Sequence, residues 1–302
     1  MDLSWLQVIF LALLQGVTEL FPISSLGHTV ILPGLFGWGN LYQNHACGGE
    51  SCFLPIIVAL HLGTAIALII YYWRNWLQVG RSVISIAQHR GIRKGTDDWV
   101  SWLIIVGTIP AVVIGAALQN PLEKLFASPL VAATFLVVNG SVLFLGEALR
   151  RRSEANFNAL SPKEREAHFR TLSSLSWKEA LIVGSAQALA LIPGFSRSGT
   201  TMAAGLGVRM TYLDAARFSF LLGTPVIFGA AVLKLPKLLH QPTSVLLMIV
   251  VGVVISGVAA YLSTMFLEKY FEKGRVDPFA YYCWAAGLLA IGILLFVQHA
   301  AA

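Results

Sequence analysis

Gln15, Glu19, Ser24, Ser25 and His28 lie within fourteen residues of an otherwise apolar stretch, and Ser196, Arg197, Ser198 and Thr201 lie within a second one. A serine beside a carboxylate and an imidazole is what an activated nucleophile requires. A guanidinium presents planar, paired donors that match phosphate oxygens. The two segments read as copies: Gln15-Gly-Val-Thr-Glu19-Leu-Phe-Pro22-Ile-Ser24-Ser25-Leu-Gly27-His28 and Gln187-Ala-Leu-Ala-Leu-Ile-Pro193-Gly-Phe-Ser196-Arg197-Ser198-Gly199-Thr200. In each, Ser follows Gln by nine positions and Gly by twelve. Together they suggest a phosphate site built from two halves.

Gln15 and Glu19 are spaced i, i+4 and so share a helix face. A carboxylate at the bilayer centre costs about 2.5 kcal/mol or more on insertion scales, so Glu19 should face a cavity and have a partner. A structural ion pair with Arg197 is the plainer alternative; opposite charges about 4 Å apart attract by roughly 4 kcal/mol at an effective dielectric of 20. Ser24, Ser25 and His28 fall where a chain break gives way to a short helix. A serine there can serve as a cap alone. The same helix start offers free N–H groups and a positive dipole end to an anion, and His28 can exchange a proton near neutral pH. Arg197 is the supplier of charge stabilisation for a transferring phosphoryl group.

The elements that must position these groups are membrane helices. The chain has 302 residues, 56% hydrophobic and 12% charged, with mean hydropathy +0.72; soluble domains carry about a quarter charged residues. Continuous apolar runs favour helices over barrel strands. Spans are expected at 54–73, 100–119, 129–149, 213–233, 243–267 and 279–298. The first basic residue is Arg74, so the N-terminus does not read as a removable signal peptide. The net charge of +6 does not point to nucleic acid, because loops 74–98, 150–178 and 268–275 hold 15 of the 21 Lys and Arg residues. That asymmetry is the positive-inside pattern, and it puts both termini and loop 34–53 outside the cytoplasm.

Segments 4–20 and 180–192 stop at Phe21-Pro22 and Pro193-Gly194, and each is followed by a piece too short to cross. Irregular backbone at membrane depth survives only where protein or a water-filled cavity satisfies it. Regions 4–35 and 180–210 are therefore expected to be re-entrant hairpins, each followed by three spans. The expected fold is an all-α polytopic membrane protein with two inverted-topology repeats, 1–149 and 179–302, joined by a basic cytoplasmic linker, 150–178. Such repeats place binding sites near the midplane. The Arg150-Arg151-Arg152 run reads as a topology anchor. Glu147 and Glu179 read as solvated groups at the inner edge, Asp214 and Arg217 as a helix pair, and His61 and Cys283 as packed core residues. Cys47 and Cys52 are chemically allowed a disulfide.

At these residues the chain resembles the bacterial undecaprenyl-pyrophosphate phosphatase family of the bacitracin-resistance type. Gln15 and Glu19 match the first family motif, Pro22 through His28 its neighbour, and Pro193, Gly194, Ser196, Arg197, Ser198 and Thr201 the second. The resemblance implies hydrolysis of undecaprenyl pyrophosphate to undecaprenyl phosphate and inorganic phosphate in the bacterial inner membrane, at a site facing the periplasm, with Mg²⁺ or Ca²⁺. It implies Ser25 as nucleophile and His28 as acid or base. Glu19, with Gln15, would orient the serine or hold the cation. Arg197 would stabilise the phosphoryl group, with Gln15, Ser24, Gly27, Ser196, Ser198, Gly199 and Thr201 binding substrate. The expected partners are a polyprenyl pyrophosphate and membrane lipids, without nucleic acid; a homodimer is left open. Position 15 is Gln where many members carry Glu, which removes one carboxylate from any metal site, and the stretch 43–52 has no assigned role. A transporter of anionic lipid is the main rival. A phosphatidic-acid-type phosphatase would place His six residues after the arginine, where this chain has Ala203.

Overall fold

The computed structural model describes residues 4–38, 53–88, 92, 94–123, 125, 128–157, 160–161 and 168–300. The stretch 43–52, with Cys47 and Cys52, lies outside them. In chain order the helices are α1 (Trp5–Thr18), α2 (Ser25–Leu35), α3 (Phe53–Tyr71), α4 (Trp73–Ala87), α5 (Asp97–Glu123), α6 (Pro129–Phe157), α7 (Trp177–Ala186), α8 (Arg197–Gly207), α9 (Tyr212–Lys234), α10 (Thr243–Phe271) and α11 (Asp277–Ala300). Six of them, α3, α5, α6, α9, α10 and α11, are long and apolar enough to cross a membrane. They coincide with the six expected spans, and the protein is a multi-pass, all-helical membrane protein.

The two interrupted segments begin alike. Ser4 Oγ accepts from the Gln7 N–H while Gln7 Oε1 accepts from the Ser4 N–H, a capping box that starts α1. Ser176 and Glu179 do the same for α7. Each helix then stops short of its proline, α1 at Thr18 before Pro22 and α7 at Ala186 before Pro193, and a short helix follows: α2 after the first break, α8 after the second. A tight 3₁₀ stretch, Gln187–Leu191, carries α7 into its break.

The crossing helices pack closely through small residues, as membrane helices do. A methyl group on Gly63 of α3 would overlap the Val253 carbonyl of α10, and one on Gly184 of α7 would overlap the Gly107 carbonyl of α5. α6 packs along α11, α3 against both α9 and α10, and α1 along α10, while α5 holds α7. Outward-facing Leu6, Leu233, Leu289 and Phe296 are exposed, forming the apolar outer face a lipid would meet.

Three expectations are corrected here. Segment 74–98 contains a helix, α4, rather than a plain loop. Trp73, Leu77 and Ile84 form an exposed apolar stripe along it, and its buried Ser82 donates to Asp98. No long apolar run marks it, because an amphipathic helix hides its period among basic residues. Glu147 is not solvated: it is 1% exposed, accepts from Arg151 and the Tyr212 hydroxyl, and pairs with Arg275. Arg217 pairs with Glu268, at 2.7 Å, rather than with Asp214; Asp214 instead accepts from Thr211 and the Leu172 N–H. Tyr71 and Tyr72 also donate to Glu268. Arg150 and Arg151 of the basic run are likewise engaged, with Glu154 and Asp277.

Candidate active site

The two breaks meet. Gly27, in the first turn of α2, lies so near Gly194 of the second break that a methyl group there would sit 3.1 Å from the Gly194 Cα. Gly199 is equally close to the Pro22 carbonyl, at 3.1 Å. Gly194 has φ +102°, a conformation that suits glycine. Ser24 has φ 70° without being glycine, so the first break holds strained backbone next to Ser25.

Asn139 of α6 ties the breaks together. Its Nδ2 donates to the Pro22 carbonyl at 3.0 Å and its Oδ1 accepts from the Ser196 N–H at 2.9 Å. The first bond fixes which way the amide faces, since a carbonyl can only accept. Cys283 packs against the same Asn139, with Sγ 3.4 Å from Nδ2. Ser198 donates to the Phe21 carbonyl at 3.1 Å, and Thr201 Oγ1 lies 2.7 Å from the Arg197 carbonyl and 2.6 Å from Ser219 Oγ. Ser198 and Thr201 therefore brace the junction rather than project into a cavity.

Glu19 is the centre of the site. Ser25 Oγ donates to its Oε2 through a short hydrogen bond. Gln15 Nε2 donates to the same oxygen at 3.2 Å. Arg197 donates to Oε1 from Nε at 3.3 Å and from Nη2 at 3.1 Å. The third arm, Nη1, reaches the Ser219 carbonyl at 2.9 Å. A guanidinium has five N–H donors; three are used in these bonds, leaving two. Gly223 of α9 makes room for this head group, because a methyl group at 223 would overlap it.

The imidazole beside the carboxylate is not the expected one. His28 does not reach Ser25 or Glu19. Its Nδ1 lies 2.7 Å from the Ser24 carbonyl, which fixes the proton there, and its Nε2 lies 2.8 Å from the Tyr282 hydroxyl. Four residues along α2 from Ser24, it folds back onto that carbonyl and stacks on Tyr282. The imidazole facing the carboxylate is His61 of α3, read above as a core residue. Its Nδ1 donates to the Ile57 carbonyl at 2.7 Å, and its Nε2 sits 3.2 Å from Glu19 Oε2. Sequence reasoning missed His61, Asn139 and Gly223; a polar or glycine position inside an apolar span was the signal each offered.

A cavity of about 180 Å³ opens over this centre. Glu19, Ser24, Ser25, His61, Gln187, Ser196 and Arg197 form its polar side, and Leu54, Val58, Leu191, Val226 and Ile227 stand among its apolar walls. Gln15 is buried beneath, and Gly27, Ser198, Gly199 and Thr201 lie in the bracing layer. The arrangement pairs a hydroxyl already hydrogen-bonded to a base with a cation carrying spare donors, beside space for an apolar chain.

The site is a poor cage for a resident divalent cation. Both Glu19 oxygens are engaged, two of their partners being the guanidinium and His61. Gln15 turns its NH₂ toward Glu19, which leaves its own oxygen facing elsewhere. Among the described residues, no three His, Cys, Asp or Glu side chains gather as metal ligands.

Curated relatives cover nearly the whole chain. "Undecaprenyl-diphosphatase 2" of Burkholderia thailandensis is 43% identical over 290 residues, covering 96% of each chain. "Undecaprenyl-diphosphatase" of Granulibacter bethesdensis is 43% identical over 300 residues, covering 98% of each. "Undecaprenyl-diphosphatase" of Mycolicibacterium paratuberculosis is 41% identical over 292 residues, covering 94% of this chain and 95% of its own. The family profile described as "Bacitracin resistance protein BacA" matches residues 8–289, and with that span and those identities the chain belongs to this family.

Proposed function

We propose that this protein is an integral membrane phosphatase that hydrolyses undecaprenyl pyrophosphate to undecaprenyl phosphate and inorganic phosphate, recycling the lipid carrier of cell-wall synthesis. The observation that carries the chemical reading is the contact chain Ser25–Glu19–Arg197, which joins the two breaks through one carboxylate. The names of the relatives supply the substrate.

In this reading Ser25 Oγ attacks the terminal phosphorus while its proton passes to Glu19. The phosphorus–oxygen bond to the lipid phosphate breaks, and undecaprenyl phosphate leaves. The two spare N–H groups of Arg197 take the charge on the transferring phosphoryl group, a role worth more in a water-poor site than in bulk solvent. Gln15 and His61 hold the Glu19 carboxylate in place. Ser24 and Ser196 border the phosphate, and the apolar walls take the first part of the prenyl chain. His28 secures the strained first turn of α2 through Ser24 instead of touching the reacting atoms. Mg²⁺ typically takes one or two carboxylates plus phosphate oxygens. With Glu19 engaged, Mg²⁺ or Ca²⁺ belongs in this reading with the pyrophosphate, and no step is routed through it.

The placement in the membrane is part of the same proposal. The halves 1–149 and 179–302 are inverted repeats about the linker 150–178. The matched capping boxes support this, and so does the pairing of α3 with α10 and of α9 with α5. The cavity is walled by the first turns of α3 and the last turns of α9, the ends opposite the basic loops. That favours a site open to the periplasmic side of the inner membrane. One copy of the chain suffices; a homodimer enters no step.

The deciding experiment is phosphate release from undecaprenyl pyrophosphate by purified protein with Mg²⁺ or Ca²⁺, with acid-quench trapping of a phosphorylated residue. Turnover with phosphate on Ser25 is the expected result. Turnover without any phosphoenzyme would move the attack to water, and no turnover in any cation would favour lipid transport.

A further inference from the structure

Gln187 opens the second break, as Gln15 opens the first, but the reading above gives it no task. It is 2% exposed and lines the cavity that Ser25 lines. Its Nε2 donates to the Gly107 carbonyl at 3.4 Å. A carbonyl cannot donate, so the amide must face that way round, and Oε1 is then the end of the amide left over. That oxygen is buried and has no hydrogen-bond partner. Among the described residues it is the only buried, unpartnered polar side-chain atom belonging to a residue of this cavity. A buried acceptor without a donor costs about 1–3 kcal/mol, so something in the working cycle should supply one.

We infer that Gln187 orients the water that hydrolyses the phosphorylated serine. This rests on the Ser25 reading above and extends it to the second half of the reaction. Undecaprenyl pyrophosphate brings acceptor oxygens to the site, and so does the phosphorylated serine. Water is the one reactant rich in O–H donors, and it must enter after undecaprenyl phosphate leaves. With one O–H held by Oε1 of Gln187, the water oxygen points a lone pair at phosphorus. The water oxygen–phosphorus bond forms and the phosphorus–Ser25 Oγ bond breaks. The proton that Glu19 took from Ser25 returns to Oγ, and both water protons depart on phosphate. Glu19 and Arg197 thus serve both half-reactions, whereas Gln187 serves only the second.

The test is rapid-quench kinetics on the intact protein in detergent micelles with labelled undecaprenyl pyrophosphate, comparing wild type with Gln187→Leu and the similarly long but apolar Gln187→Met. The expected result is an unchanged first burst of undecaprenyl phosphate, a fall in steady-state phosphate release of at least about tenfold, and accumulation of phospho-Ser25. The burst itself certifies that each variant is folded and completes the first step. A variant that turns over normally, or that loses the burst and steady state together without accumulating phosphoenzyme, would overturn the inference. Absence of phosphoenzyme in wild type and both variants would instead overturn the Ser25 reading on which it stands.

Discussion

The two breaks are built alike and used differently. Ser24 caps α2 by accepting from the Gly27 N–H at 3.0 Å, and Ser196 caps α8 by accepting from the Gly199 N–H at 3.1 Å. The residue after each cap begins a helix: Ser25 in the first case, Arg197 in the second. The Ser25 hydroxyl, which attacks in the proposed reaction, and the Arg197 guanidinium, which would stabilise charge there, therefore occupy equivalent positions at the two breaks. Glu19 has Leu191 as its counterpart, so the copies share one carboxylate, which both N1 side chains reach. The conformational burden also differs. The second break puts its positive φ on Gly194, where it costs little, while the first puts it on Ser24, beside Ser25.

The sharpest way to break this comparison is to truncate one serine at each break. Ser25→Ala should lower kcat by at least about a thousandfold, because it removes the attacking atom. Ser196→Ala removes a cap and a hydroxyl at the cavity edge but no attacking atom, and should leave kcat within about tenfold. Comparable losses at both sites would mean that neither serine is the nucleophile. Arg197→Lys should cost on the order of 100- to 1000-fold in kcat, since one ammonium cannot both hold Glu19 and present paired donors to phosphate.

Gly223→Ala should come next, at about 10- to 100-fold in kcat with the melting temperature held. Alanine is the better helix former by about 1 kcal/mol, so the loss would come from displacing the Arg197 guanidinium, which a methyl group at 223 would overlap. Full activity in that variant would show that the arginine has room elsewhere. Asn139→Leu should act on stability. It strands the Ser196 N–H and the Pro22 carbonyl, at roughly 1–3 kcal/mol for each unpaired group. Thermal unfolding in detergent reads this directly, and an unchanged midpoint would mean that the breaks are held together by other contacts.

The smallest effect is expected where the two breaks differ in strain. Ser24→Gly should relieve about 1 kcal/mol of backbone strain, while losing a few tenths of a kcal/mol by replacing the cap with glycine. Its melting temperature should stay level or rise slightly, with turnover within a few-fold. Gly194→Ala should behave oppositely, because its Cβ would run into the Ala132 carbonyl. A Ser24→Gly variant as damaged as Gly194→Ala would mean that the Ser24 hydroxyl, not its backbone, is what matters.

Much of the site was legible in the chain. A charge inside an apolar segment is expensive, so Glu19 and Arg197 announced themselves, and two prolines marked where the helices stop. His28 was misjudged because proximity in sequence is not proximity in space: four residues along α2 from Ser24 it bonds to the Ser24 carbonyl and Tyr282. His61 was set aside because an imidazole on an apolar face has the same signature whether it bonds to a backbone carbonyl alone or also to a distant carboxylate. Here it does both. Ser198 and Thr201 looked like phosphate ligands, yet their hydroxyls close onto backbone of the junction.

The sequence alone determined that six segments are long and apolar enough to cross a membrane, that two others are interrupted, and that acid, hydroxyl and guanidinium sit at the interruptions. Those conclusions follow from local rules: apolar length against bilayer thickness, proline against helix continuation, and the cost of isolated charge in lipid. Tertiary structure decided which groups touch. It brought His61 from α3 and Asn139 from α6 onto the breaks, cleared a space at Gly223 for Arg197, and turned His28 away. Such contacts depend on how helices far apart in the chain rotate and pack against one another, and a linear pattern does not carry that relation.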